Sequence, residues 1–70
     1  MKIIASDYEP KDIIKIIREW SELTQPKFGK TINRSERAIQ DYESGRRFYN
    51  IKTLLQIAKA HNLTITIEKK

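Results

Sequence analysis

The sequence predicts a mainly α domain of four short helices, with short N- and C-terminal strands paired with each other. Three observations carry this. Apolar residues recur at helical spacing in four separate stretches, each preceded by a residue able to cap a helix. Only the two ends break that period. Lys2-Ile3-Ile4-Ala5 is an apolar run too short for a helix, and Leu63 to Glu68 alternates strictly between apolar and Thr or acidic residues. Finally, residues 1–70 hold no repeat, no linker and no low-complexity tract, so they form a single domain.

The elements follow in order. Ser6-Asp7-Tyr8-Glu9-Pro10 reads as a helix start, with a cap oxygen, acidic residues beside the positive end of the helix dipole, and a proline where no amide bond is lost. Ile13, Ile16, Ile17, Trp20 and Leu23 form the apolar stripe of this first helix. Thr24 caps the second, whose inward residues are Phe28 and Ile32, and Pro26 falls in its first turn, where it is tolerated. Gly29 either allows close approach of a neighbouring helix or merely loosens its own. Asn33 occupies the following turn, where a left-handed conformation is expected.

Ser35 caps the third helix, which runs to about Ser44 with Ala38, Ile39 and Tyr42 inward, and Gly45 supplies its left-handed stop. Arg46-Arg47-Phe48-Tyr49 is a basic and aromatic loop. Asn50 caps the fourth helix, with Ile51, Leu54, Leu55, Ile57 and Ala58 as its apolar face, ending near Asn62. The tail from Leu63 needs a partner, because a lone strand is unstable in water. Residues 2–5 are the nearer choice, and pairing across a dimer is the other.

Size and charge bound the function. A domain this small buries only about 60% of the surface its unfolded chain exposes, so tight helix packing or dimerisation must make up the difference. With no cysteine and one histidine, disulfides and a zinc site are excluded, and neither metal nor cofactor is called for. The net charge of +5 is unevenly spread: residues 1–24 carry a net −1 and residues 25–70 a net +6. A basic half of that kind suits a polyanion, or else a solvated surface kept for solubility. No Ser–His–Asp set or glycine-rich phosphate loop is present, so no enzyme is expected. His61 is expected to face water or the negative end of the fourth helix. The opening MKIIAS is too short for a signal-peptide core and no stretch approaches a membrane span, which together with the lack of cysteine suggests the cytoplasm.

The segment Leu23 to Gly45 is the most informative. Two short helical patterns are joined there by three or four polar residues, and the second presents small and polar side chains outward. That is the layout of a helix-turn-helix, in which one helix braces on the DNA backbone and the next enters the major groove. Leu23-Thr24-Gln25, Phe28, Asn33, Ser35, Ile39, Tyr42-Glu43-Ser44-Gly45-Arg46 and Leu54-Leu55-Gln56-Ile57-Ala58-Lys59-Ala60 resemble the phage repressor and Cro-like (Xre-type) helix-turn-helix family, from about Arg18 to Leu63 without a gap.

The resemblance implies a bacterial or phage transcriptional regulator: a four-helix repressor-like domain binding double-stranded operator DNA, usually as a homodimer on an inverted repeat. It places Gln25 on a phosphate or adjacent base, and Glu36, Arg37 and Asp41 at base edges, with Gln40 a further candidate. It also implies an ion pair of Arg18 with Glu43 between the first and third helices. The chain departs from the family at Asn33, where glycine is usual, at Pro26, and in having a strand-like tail where a fifth helix often makes the dimer contact.

The chemistry of each residue type refines these roles. Arg37 can donate two parallel hydrogen bonds to guanine O6 and N7, a contact worth about 1–3 kcal/mol of discrimination. Glu36 and Asp41 are repelled by phosphates yet can accept from cytosine N4, or they can hold neighbouring cations in place, the role preferred for Asp41. Arg34, Ser35, Arg46, Arg47 and Asn50 lie at the turn and loop flanking the third helix, where they can bind phosphates and fix its register. Phe48 and Tyr49 are expected to anchor the loop in the core. An alternative reading is an antitoxin-type module that binds a small protein partner through edge pairing at Thr64–Glu68 as well as binding DNA. A weaker one is single-stranded RNA binding, with Tyr49 or Phe48 stacking on bases.

Overall fold

A computed structural model describes all residues from Met1 to Lys70. A 3₁₀ turn at Ala5–Asp7 leads into four helices, α1 (Pro10–Trp20), α2 (Gln25–Thr31), α3 (Glu36–Ser44) and α4 (Ile51–Ala60), and no strand is formed. The helices begin where local chemistry provides an acceptor for their free amides. The side chains of Thr24, Ser35 and Asn50 accept from the amides of Lys27, Ala38 and Thr53 at 3.4, 3.1 and 2.8 Å. At the first helix the cap is Glu9 rather than Ser6, with Pro10 following and the Glu9 amide donating to the Asp12 carboxylate at 3.4 Å. Ser6 is occupied in the 3₁₀ turn.

All four helices stop the same way. A residue with positive φ follows each: Glu22 (55°), Asn33 (57°), Gly45 (83°) and Asn62 (56°). The next one or two residues then fold an amide back onto a helix carbonyl, Leu23 to Arg18 at 3.5 Å, Arg34 to Gly29 at 2.8 Å, Arg47 to Asp41 at 3.2 Å and Leu63 to Ala58 at 2.8 Å. Asn33 and Gly45 are thus as the sequence predicts, while Glu22 takes the same conformation without the small or amide side chain that favours it.

The core is Ile14, Ile17, Phe28, Ile32, Ala38, Ile39, Tyr42 and Ile57. It sits where α1 and α2 both pack on α3. Burying a side chain such as Phe28 or Ile39 contributes about 1.5–3 kcal/mol. Only 12 residues of 70 are buried, so the fold has few such contributions to lose. The centre of α1 is Ile14, fully buried, which the stripe through Ile13, Ile16 and Trp20 does not include. With isoleucines at 13, 14, 16 and 17 the local pattern spans both flanks of the helix, and only tertiary contact selects the inward line.

The turn between α2 and α3 is held unusually close. A Cβ on Gly29 would lie 2.5 Å from the carbonyl oxygen of Arg34 and 3.3 Å from the Ile39 side chain. Glycine here admits first the backbone of the turn itself, and only then the Ile39 side chain of the neighbouring helix α3.

Two expectations need correction. The terminal strands are not paired: the N-terminal run is drawn into the 3₁₀ turn, closed by Asp7 to Ile4 at 3.0 Å and Tyr8 to Ala5 at 3.1 Å, which leaves too few residues for a ribbon. From Thr64 onward no backbone amide has an intramolecular backbone partner. On α4, Ile51 and Leu55 are exposed (65% and 51%), and Thr53, Ile57 and Ala58 are buried instead. Leu55 lies about 200° around the helix from Ile57, outside the arc that meets the core.

Candidate functional site

The geometry that matters is how α3 is held and what it presents outward. Its inner face is anchored by Ala38, Ile39 and Tyr42. Its last turn is fixed by an ion pair with α1, in which Arg18 Nε donates to Glu43 Oε2 at 2.6 Å and Nη2 to Oε1 at 3.0 Å. Arg18 Nη1 also donates to the Leu23 carbonyl at 3.0 Å, and Gln25 Nε2 donates to Glu43 Oε1 at 3.4 Å. Three helices are therefore joined at one carboxylate that is itself almost wholly buried. The hydrogen bond to Glu43 raises the Arg18 pKa further above its ordinary value, so the pair stays ionised. The pairing expected of Arg18 and Glu43 is present, and it also takes in Gln25.

On the outer face Glu36, Arg37 and Gln40 are exposed with nothing packed on them. They are organised by two i, i+4 contacts. Gln40 Nε2 donates to Glu36 Oε2 at 3.3 Å, and Arg37 Nε donates to Asp41 Oδ1 at 3.3 Å. Asp41 differs from the other three candidate base readers in being buried. It lies at the inner rim of the face and reaches outward only through Arg37.

The candidate backbone contacts divide into free and engaged groups. Arg46 and Arg47 are exposed on the loop after Gly45, with the Arg47 guanidinium 5.4 Å from the centre of the Tyr42 ring. Ser35 and Asn50 are exposed, each spending its side-chain oxygen as a helix cap. Arg34 is turned inward: its Nη1 donates to the Ile32 carbonyl at 3.1 Å and its Nη2 to Thr53 Oγ1 at 3.4 Å. It braces the turn against α4, and Gln56 Nε2 does the same by donating to the Ile32 carbonyl at 3.0 Å. Gln56 belongs to the run that carries the family resemblance, but its bracing role has no signal in the sequence, since on α4 it reads as an ordinary solvent-facing side chain.

The aromatic loop splits. Tyr49 packs edge-on to Tyr42 at 5.4 Å and its hydroxyl donates to the Pro10 carbonyl, whereas Phe48 is 75% exposed. Neighbours in extended chain point opposite ways, so one of the two had to face out. His61 also departs from expectation. It stacks on Phe28 with ring centres 4.9 Å apart and sits between Ser21 Oγ (3.2 Å from Nδ1) and Thr31 Oγ1 (2.8 Å from Nε2). The ends of α1, α2 and α4 meet at this one ring, and burial lowers its pKa.

Compared with known proteins, the chain matches no family model and no curated protein. Among solved structures it is similar to one described as "MDT Protein", with a TM-score of 0.67 and 21% identity over 99% of this chain and 97% of that one. At this identity the likeness shows the fold alone, a small domain of four helices with no helix long and apolar enough to cross a membrane.

Proposed function

We propose that the protein is a sequence-specific regulator that binds double-stranded DNA, a repressor-like helix-turn-helix domain that places α3 in the major groove and acts from the cytoplasm. The observation that carries this reading is the outer face of α3, where Glu36, Arg37 and Gln40 are exposed while the rest of the helix is locked to α1 and α2. Side chains on a rigid helix meet base edges with no cost for ordering the backbone that carries them. Arg46 and Arg47 beyond the helix, with exposed Lys27 and Lys30 on α2, supply charge for phosphates. The active species is a homodimer whose half-sites lie about 34 Å apart, one turn of DNA.

Selection of bound duplexes from a random pool, at low and near-physiological salt, tests the proposal. An enriched inverted repeat that survives the higher salt is expected. Loss of all binding with salt, and no enriched sequence, would leave only a basic surface.

One observation favours a second reading, the antitoxin-type module. From Thr64 to Glu68 no backbone amide has an intramolecular backbone partner, which leaves this segment free to pair edge-on with another chain, and Ile67 is 96% exposed. Co-purification with a small protein partner that is lost when the tail is removed would support it.

A further inference from the structure

We infer that Arg37 reads a guanine in each half-site and that Asp41 is its positioning residue, not a reader of bases itself. This rests on the proposed DNA binding and deepens it. Arg37 is a solvent-facing side chain, 73% exposed, tied to a carboxylate that is only 12% exposed. An exposed ion pair is ordinarily worth little, because both partners must give up their freedom. Here one partner has less freedom to lose: Asp41 is buried at the inner rim of α3, so most of the ordering falls on the arginine.

The tie is made through Nε, at 3.3 Å from Asp41 Oδ1. The outer edge of the guanidinium, Nη1 and Nη2, makes no hydrogen bond within the protein, on a side chain that is 73% exposed. Two parallel N–H donors match the O6 and N7 acceptors of guanine in the major groove. Adenine at the same place offers an amino donor beside N7 and meets one of them with repulsion. The pairing also argues against a phosphate contact. Arginine and aspartate together carry no net charge, which makes them a poor clamp for an anion compared with Arg46 or Arg47 on the open loop.

Direct readout by Asp41 makes a different claim, since a carboxylate would accept from cytosine N4 at a base pair of its own. The two ideas separate in the selected sequences of three variants, with thermal melting as the control for folding. Arg37→Ala should lose the preference for one G·C pair by about 5- to 150-fold, the range of one bidentate contact. Arg37→Lys, which keeps the charge and loses the fork, should lose it as well. Asp41→Asn should weaken the preference at that same base pair and leave the rest of the selected sequence as it is. The inference is overturned if Asp41→Asn alters a different base pair, or if Arg37→Ala lowers affinity for all sequences alike. Arg37 is exposed, so its variants decide the matter even if Asp41→Asn fails to fold: a cytosine preference at a second base pair that persists in Arg37→Ala and is set by Asp41 would overturn the positioning role. If the wild-type protein enriches no sequence at all, the failure belongs to the DNA-binding proposal, and this inference falls with it.

Discussion

His61 shows how much one side chain can organise in a domain this small. It fills the junction of three helix ends and covers the ring of Phe28, the largest fully buried side chain. Both hydroxyls beside it can rotate. Ser21 Oγ can donate to the Ile17 carbonyl at 2.9 Å, and Thr31 Oγ1 to the Phe28 carbonyl at 2.6 Å, or either can turn to the ring. The hydrogen bonds therefore accommodate both the neutral and the charged imidazole, and burial decides between them. It lowers the pKa in the folded protein below its ordinary value of about 6.5. Between those two values the unfolded chain binds more protons than the native one, so stability falls as pH falls through that window and is fully present above it. The melting temperature is expected to decline on acidification from pH about 7.5 to about 5.5, and His61→Gln should flatten the decline. A profile for the wild-type protein that stays flat or rises would mean that the charged ring is accepted at the junction.

At the scale of the elements, the parts legible in the sequence are those fixed within a few residues. The caps at Thr24, Ser35 and Asn50, the left-handed Asn33 and Gly45, and the inward residues Phe28, Ile32, Ala38, Ile39 and Tyr42 all follow from local chemistry. What was not legible depends on contact between distant segments: the buried place of Ile14, the outward turn of Ile51 and Leu55, and the bracing of Arg34 and Gln56. The candidate site divides in the same way. Its outer residues Glu36, Arg37 and Gln40 are named through the family resemblance, whereas the inward turn of Arg34 is not legible, because its partner Thr53 lies 19 residues away.

Gly29 lies between the two cases, since its presence was visible and its neighbour was not. Alanine is a better helix former than glycine by about 1 kcal/mol, which alone would stabilise α2. A Cβ at 2.5 Å from a backbone oxygen has no flexible side chain to push aside, and overpacking of this kind costs about 1–3 kcal/mol. Either α2 or the turn must move, and the turn sets the angle of α3. Gly29→Ala is therefore expected to lower the melting temperature by several degrees, about 4–8 °C per kcal/mol of net loss. It should also impair DNA binding more than its stability cost accounts for. A variant that melted higher than wild type would show that the turn can give way.

For the whole molecule the balance is between a small core and an unpaired C-terminal segment. The segment Leu63 to Glu68 has the alternation of a half-buried strand, yet from Thr64 onward its amides have no backbone partner and Ile67 is open to solvent. Within one chain nothing is left to pair with it, because the N-terminal run is committed to its 3₁₀ turn. A second copy of the same segment can satisfy it. Antiparallel pairing about a two-fold axis would unite the two sets of Ile65 and Ile67 on one face and place Thr64 and Thr66 on the other. Such an interface is small, well under the roughly 1,600 Å² of a standard one. The dimer should thus be weak alone and strengthened on DNA, where the second half-site is engaged at high effective concentration. Thr66→Pro removes an amide from the middle of the pairing and leaves every helix untouched. It is expected to sediment as a monomer at concentrations where the wild type dimerises. It should bind an isolated half-site as well as before and lose the advantage of the inverted repeat, by about 10²–10⁴-fold if the two half-sites act together. A variant that dimerised like the wild type would place the interface elsewhere, with the exposed Ile51 and Leu55 of α4 the next surface to alter.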